Sequence, residues 1–159
     1  MAARRRVAGA NLFTDSVRAL NPADGSIRWH YQWTPHDVWD YDGVNENILV
    51  DDRGRKLLAH FDKNGYLFLL DRTNGTLVRA PPFAKATWGD IDATTGKVTV
   101  RQTPTAQGVE ICPGPAGAKE WVHASYNQKT RLLYVPVIDR CATYKTKPAE
   151  SRRNHLLGR

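Results

Sequence analysis

Lys56-Leu57-Leu58-Ala59-His60-Phe61, then Asp62-Lys63-Asn64-Gly65, then Tyr66-Leu67-Phe68-Leu69-Leu70-Asp71 is the stretch that decides the fold. Two short apolar runs flank a tetrapeptide whose Asn64-Gly65 pair tolerates positive φ, the conformation that tight hairpin turns demand. The segment reads as two antiparallel strands. A second turn, Arg72-Thr73-Asn74-Gly75, leads into Thr76-Leu77-Val78 and extends the hairpin into a meander.

Outward from this meander the same unit recurs. Leu20-Asn21-Pro22-Ala23-Asp24-Gly25-Ser26-Ile27 and Ile91-Asp92-Ala93-Thr94-Thr95-Gly96-Lys97-Val98 each give an apolar residue, Asp or Asn, three turn formers, Gly and a new strand. Asn127-Gln128-Lys129-Thr130 before Leu132-Leu133-Tyr134-Val135 is a weaker version. No window holds an apolar period of 3.6 residues long enough for a helix. The expected class is all-β. Repeated strand-turn-strand units favour the radial sheets of a β-propeller over a sandwich, because each repeat buries its faces against neighbours and leaves only short edges.

The chain has 159 residues, one domain's length, and 41% hydrophobic residues suffice for a core. Its formal charge of +7 raises the question of nucleic acid or membrane partners until the charge is located. Residues 1–6 and 140–159 hold nine bases and one acid, whereas the body between them holds 14 bases and 15 acids. A near-neutral body offers no basic stripe for nucleic acid. Arg4-Arg5-Arg6 begins like a secretory signal, but Gly9, Asn11, Thr14 and Asp15 break the apolar run that should follow, so no signal peptide is expected here. Nor does any run approach the ~20 apolar residues of a membrane-spanning helix. Cys112 and Cys141 are too far apart for a CxxC pattern. Their separation leaves pairing open, and buried thiols are the ordinary reading.

Ala19 to Trp29 resembles the tryptophan-docking motif of PQQ-dependent alcohol dehydrogenases, in which a closing Trp packs between adjacent blades. Trp29 takes that place, and Gly25 makes the turn. Thr34-Pro35-His36-Asp37-Val38-Trp39-Asp40-Tyr41-Asp42-Gly43-Val44-Asn45 is similar to the active-site segment of methanol- and ethanol-type quinoproteins. The likeness continues through Asp62-Lys63-Asn64-Gly65 and Ile111-Cys112-Pro113-Gly114 to Tyr134-Val135-Pro136, covering residues 11–138. It implies about two to three four-stranded antiparallel blades of an eight-bladed propeller. Residues 1–10 then form a basic N-terminal extension and residues 139–159 a basic, disordered tail.

By this resemblance Asp40 corresponds to the catalytic base and Lys63 to the residue that hydrogen-bonds the quinone carbonyls of PQQ. Both residue types suit such chemistry, because an alcohol is a weak acid whose proton needs a placed carboxylate, and a cation stabilises charge developing on a carbonyl. Asp42 resembles the additional acid of the lanthanide-dependent branch, where calcium-dependent relatives carry a small neutral residue. Asp40 and Asp42 are thus the metal positions, and a trivalent hard ion is favoured over calcium by the extra anionic oxygen. In a regular strand the two side chains would share one face. The plainer readings are a turn carboxylate for Asp40, a solvated turn lysine for Lys63 and a loop acid for Asp42. His30, His36 and Asp37 read as packing and hydrogen-bonding residues, and Trp29, Tyr31, Trp33, Trp39 and Tyr41 as core.

The function implied is oxidation of a primary alcohol by hydride transfer to PQQ. Relatives are periplasmic and pass electrons to a cytochrome c. In the family, a Glu and an Asn metal ligand, a vicinal cysteine pair and a quinone-stacking Trp stand upstream of the Trp-Asp segment. Only 39 residues precede Asp40, so a truncated chain, inactive alone, is expected. Two or three blades leave a large apolar side exposed and invite self-association. The rival reading is a noncatalytic propeller-repeat scaffold, which has no need of the Trp-Asp segment.

Overall fold

The computed structural model describes residues 9–146. The basic extension, apart from Gly9 and Ala10, and the tail from Lys147 onward lie outside the described residues. β1 (Ser16–Leu20) and β2 (Ile27–Gln32) form an antiparallel pair. β3 (Asn47–Asp52), β4 (Arg55–Phe61), β5 (Leu67–Asp71) and β6 (Leu77–Arg79) form one four-stranded antiparallel sheet in chain order. β7 (Gly89–Ile91) pairs with β8 (Val98–Val100), and β10 (Ser125–Asn127) with β11 (Leu132–Tyr134). β9 (Val109–Ile111) is met by β12 (Ala142–Tyr144), again antiparallel. The class is all-β, and among the described residues no helix is long and apolar enough to cross a membrane. One sheet reaches the four strands expected of a blade; the others have two.

The β4–β5 hairpin is the centre of the molecule. Its alternation places Leu58, Phe68 and Leu70 on one face, in a cluster with Trp33, Trp39, Tyr41 and Trp88. Leu57, Ala59, Leu67 and Leu69 face the other way and pack with Val50, Tyr126 and Leu133. A sheet covered on both faces is the geometry of a blade stacked between neighbours.

The recurrent turn has one construction throughout. Gly25 N donates to Asn21 O, Gly75 N to Asp71 O, Gly96 N to Asp92 O and Arg131 N to Asn127 O, at 2.7–2.9 Å. The leading Asn or Asp also accepts, through its side chain, the backbone N–H two residues on: Ala23, Thr73, Thr94 and Lys129. The fifth position has φ of 73°, 78°, 70° and 59°. Arg131 stands there where the other turns have Gly, which is why that repeat is weaker in sequence. Trp29 packs where the docking motif implies: its Nε1 donates to Arg72 O at 3.2 Å, and a Cβ on Gly75 would lie 2.7 Å from its ring.

Two expectations change. Cys112 and Cys141 are not free thiols but a disulfide, with Cα atoms 4.3 Å apart, because the β9–β12 pairing brings them together. The tail does not begin at 139: Ala142–Tyr144 is a strand, Thr105 bridges Lys145, and Gly114 N donates to Arg140 O.

Candidate functional site

Lys63 sits in the turn between β4 and β5, yet only 6% of it is exposed. Its stem runs between two glycines: an added Cβ would meet it at 2.7 Å from Gly43 and 2.6 Å from Gly117. Only residues without a side chain leave this channel open. The ammonium lies 3.4 Å from Glu120 Oε1. The buried lysine is therefore brought against Gly43, the residue next to Asp42 in the chain. Behind it, Lys119 is also buried and bonds Glu46 Oε2 at 2.9 Å, while Glu46 Oε1 accepts Ala124 N at 2.7 Å. Burial works to raise the Glu46 carboxyl, but these bonds hold it below its ordinary range.

The segment from Asp40 to Asn45 is a loop, not a strand. Asp37 shapes it: Oδ1 accepts Trp39 N, and Oδ2 accepts Tyr41 N and Asp42 N, at 2.8–3.2 Å. Asp40 takes φ of 72°, in the left-handed region that Asp tolerates better than most residues. The shared face that a strand would have imposed on Asp40 and Asp42 therefore does not arise. Trp39 and Tyr41, between the acids, are buried in the core; Trp39 Nε1 donates to Gln102 O and Tyr41 Oη to Pro113 O. Asp40 is half-buried and Asp42 exposed. His36 Nδ1 lies 2.8 Å from Gly9 O, and His30 meets the Phe13 ring edge-on, so both pack and bond as expected.

A cavity of about 330 Å3 opens beside this loop, with Asp15, Trp33, Asp42, Gly43, Asn45 and His60 in its wall. Asp40 is not among its lining residues. Trp33 stacks on His60 at 4.2 Å. His60 Nε2 lies 3.3 Å from Asp62 Oδ2, and burial pushes His60 down to about 4, so the ring is neutral at ordinary pH. Burial pushes Asp62 up to about 8, against the bond from Asn64 N, with the charges of Asp37 and Asp42 adding to the rise. Burial and then the charge of Asp62 push Asp15 up to about 9. Asp37 is raised too, by burial above all. Asp15, Asp37, Asp42 and Asp62 thus raise one another, and the Lys63 ammonium, though paired with Glu120, offsets the rise at Asp62 only in part.

Sequence reasoning missed Asp15, Asp62, Glu120 and the Glu46–Lys119 pair. Glu120 and Lys119 precede an exposed Trp121, and nothing in that run signals a partner 57 residues away for Lys63. The group Glu110, Cys112 and Cys141 brings three potential ligand atoms within 4.8 Å, but both sulfurs are committed to the disulfide.

The family pattern described as "Glucose/ethanol/alcohol dehydrogenase, beta-propeller domain" matches residues 1–81, the half of the chain that holds the docking motif, the Asp37 loop and the Lys63 turn. The chain belongs to the PQQ-dependent alcohol dehydrogenase family. It is 44% identical to a quinoprotein alcohol dehydrogenase of Pseudomonas putida over 142 residues, 80% of this chain and 24% of that protein. With a lanthanide-dependent methanol dehydrogenase of Methylacidiphilum fumariolicum it shares 40% identity over 152 residues, 90% of this chain and 25% of the relative. A europium-containing methanol dehydrogenase superposes with a TM-score of 0.76 at 39% identity, over 84% of this chain and 25% of the other. The chain spans about a quarter of the length of these quinoproteins.

Proposed function

We propose that this chain carries the catalytic segment of a quinoprotein dehydrogenase that oxidises primary alcohols by hydride transfer to PQQ, with Asp40 as base, Lys63 as carbonyl partner, and Asp40 and Asp42 at the metal. The observation that carries the reading is the burial of Lys63 against Gly43: a lysine held in a glycine channel beside the Asp40–Asp42 loop is a positioned cation, not a solvated turn residue. A hard cation fits the residues present. Asp15 Oδ2 and Asn45 Oδ1 are buried oxygens with no hydrogen-bond partner, and both residues line the cavity with Asp42. All three offer oxygen, the donor that calcium and the lanthanides prefer.

When bound, the quinone supplies a hydride acceptor and the cation a Lewis acid. The chain's own part is narrower. Asp40, fixed by the Asp37-capped loop, takes the hydroxyl proton of the alcohol, a contribution of typically 10²–10⁴-fold. Lys63 holds positive charge at a fixed place beside the loop, so that no reorganisation is needed as negative charge develops. Asp42 adds an anionic oxygen and favours a lanthanide over calcium. The disulfide suits an oxidising compartment and so the periplasm of the family. Leu132, Tyr134 and Val137 are exposed on the C-terminal side and support self-association of the chain by itself. A cytochrome c is the electron acceptor in this reading.

Grafting residues 11–138 into the matching segment of the Pseudomonas putida relative tests it. The expected chimera oxidises ethanol with dye reduction, responds to lanthanum more than to calcium, and loses at least 100-fold in kcat on D40N, while the isolated chain turns over nothing. Full activity in the D40N chimera would sink the assignment of the base. A chimera that folds, binds PQQ and never reduces dye favours the scaffold reading.

A further inference from the structure

Asp40, the proposed base, stands at φ of 72°, a conformation that a residue with a side chain keeps only where its surroundings hold it. Asp37 accepts the amides of Trp39, Tyr41 and Asp42. As an acceptor it holds no carbonyl, so the peptide plane between Trp39 and Asp40 needs a second restraint. A peptide group is rigid, and turning it about its two flanking Cα atoms changes ψ of Trp39 and φ of Asp40 together. Such a turn would relieve the positive φ and shift the direction of the Asp40 side chain.

β12 supplies the restraint. Tyr144, at its end and 105 residues from Trp39, donates from Oη to Trp39 O at 3.0 Å. On the other side of Asp40, Tyr41 Oη donates to Pro113 O at 2.7 Å. Both contacts lead to the β9–β12 pair, since Pro113 follows Cys112, Tyr144 stands shortly after Cys141, and the disulfide joins the two. β12 is pinned further by the pairing of Tyr144 with Val109, by Gly114 N donating to Arg140 O at 2.8 Å and by Thr146 N donating to Thr105 O at 2.9 Å. A phenol carried on a strand so fixed gives direction to the carbonyl that it holds. Burial first, and then the charges of Asp37 and Asp40, keep the Tyr144 phenol above its ordinary range against its bond with Tyr41, so the hydroxyl remains a donor within reach of the Asp40 charge. The net worth of one such bond is of the same order as the cost of a left-handed Asp, so a single hydroxyl suffices to decide between the two orientations.

We infer that Tyr144 is a positioning residue for Asp40: by holding the Trp39 carbonyl it keeps the peptide plane, and with it the carboxylate, in the orientation that takes the alcohol proton. The inference rests on the proposed reading of Asp40 as base, and adds to it a residue from outside the Trp-Asp segment.

Tyr144→Phe deletes one hydroxyl and keeps the ring that packs on the core. In the full chain, amide exchange of Tyr41 and Asp42 is expected to quicken at least tenfold, with Leu58 and Leu70 of the central hairpin unchanged. In a chimera carrying residues 11–146, so that Tyr144 is included, kcat for ethanol is expected to fall at least tenfold while KM changes by less than about twofold, because the alcohol still binds but the base is misplaced. On a D40N background the same substitution is expected to cost less than about twofold, since no base remains to be positioned. Unchanged exchange, a parent-like kcat, or an equal loss on the D40N background each overturns the inference; so long as D40N alone costs at least 100-fold, the reading of Asp40 stands. A D40N chimera as active as its parent overturns both. Should Tyr144→Phe not fold by circular dichroism, Tyr144→Leu, which also lacks the donor, carries the same expectations and the same refutations.

Discussion

The β3–β6 sheet and the C-terminal pairs β9–β12 and β10–β11 are written in similar short apolar runs, yet they are held by different means. In the sheet, the last five residues of β4 are all buried, and Phe68 and Leu70 of β5 are fully so. In β10 and β11 no residue is buried, and Leu132 is 53% exposed. A central strand has neighbours on both edges and layers on both faces, so every side chain finds cover. A two-stranded pair has one neighbour per strand and, in β10–β11, cover only where Tyr126 and Leu133 pack on the sheet; alone it is marginal. β9 and β12 reach the core through Ile111, which is fully buried, and are tied as well by the Cys112–Cys141 bond. Similar strand sequences therefore do not imply similar stability; the number of neighbours decides.

Truncating the centre is expected to break the contrast most strongly. Trp88 is fully buried, packs 4.9 Å from Trp39, and donates Nε1 to Asn64 O at 2.8 Å. Trp88→Ala is expected to cost about 4–5 kcal/mol in urea unfolding, while Leu132→Ala, on the exposed side, costs under about 1 kcal/mol. Comparable losses at the two sites would show that the C-terminal pairs are as well covered as the sheet.

Replacing both cysteines by serine releases a loop of 29-residue separation. The expected loss is about 2–4 kcal/mol. Hydrogen exchange is expected to rise in Val109–Ile111 and Ala142–Tyr144 well before it rises in β4 and β5. Uniform exchange across all strands would mean that the two regions unfold as one.

A smaller effect follows from pH and belongs to the blade side alone. Asp15 and Asp62 stand at about 9 and about 8 in the folded chain, above their ordinary 3.8. Both states hold these protons below about pH 4; above it the unfolded chain releases them and the folded chain does not, so stability falls as pH rises towards 8. His60, lowered to about 4, works the other way and removes stability as pH falls from 6.5 towards 4. Two carboxyls outweigh one imidazole. The metal-free chain is expected to show a higher Tm near pH 5 than near pH 8, and D15N to flatten that slope. A flat parent profile would mean that Asp15 and Asp62 titrate normally.

Much of the fold was legible because it rests on local chemistry. The Asn64-Gly65 turn and the Asn or Asp to Gly units are instructions read within five residues, and Trp29 docks on the Gly75 turn as its motif implies. The Cys112–Cys141 pairing was not legible, since it depends on β12 returning to β9. β12 itself is three residues, Ala142-Thr143-Tyr144, set in a charged run too short to show alternation. The loop of Asp40 and Asp42 was legible as a segment but not as a shape. Period-two reasoning assumes a strand, whereas the three bonds accepted by Asp37 fold the segment into a loop, and only Asp42 lines the cavity.

The contact between Trp29 and Gly75 is a lock cut into one repeat and a key carried by the one before it. What the second repeat contributes is an absence, a place where no side chain stands. A builder lengthening such a ring could copy a repeat and insert it, provided that the bare turn and the indole travel together. Alanine at that one turn would jam the join while leaving each unit internally sound.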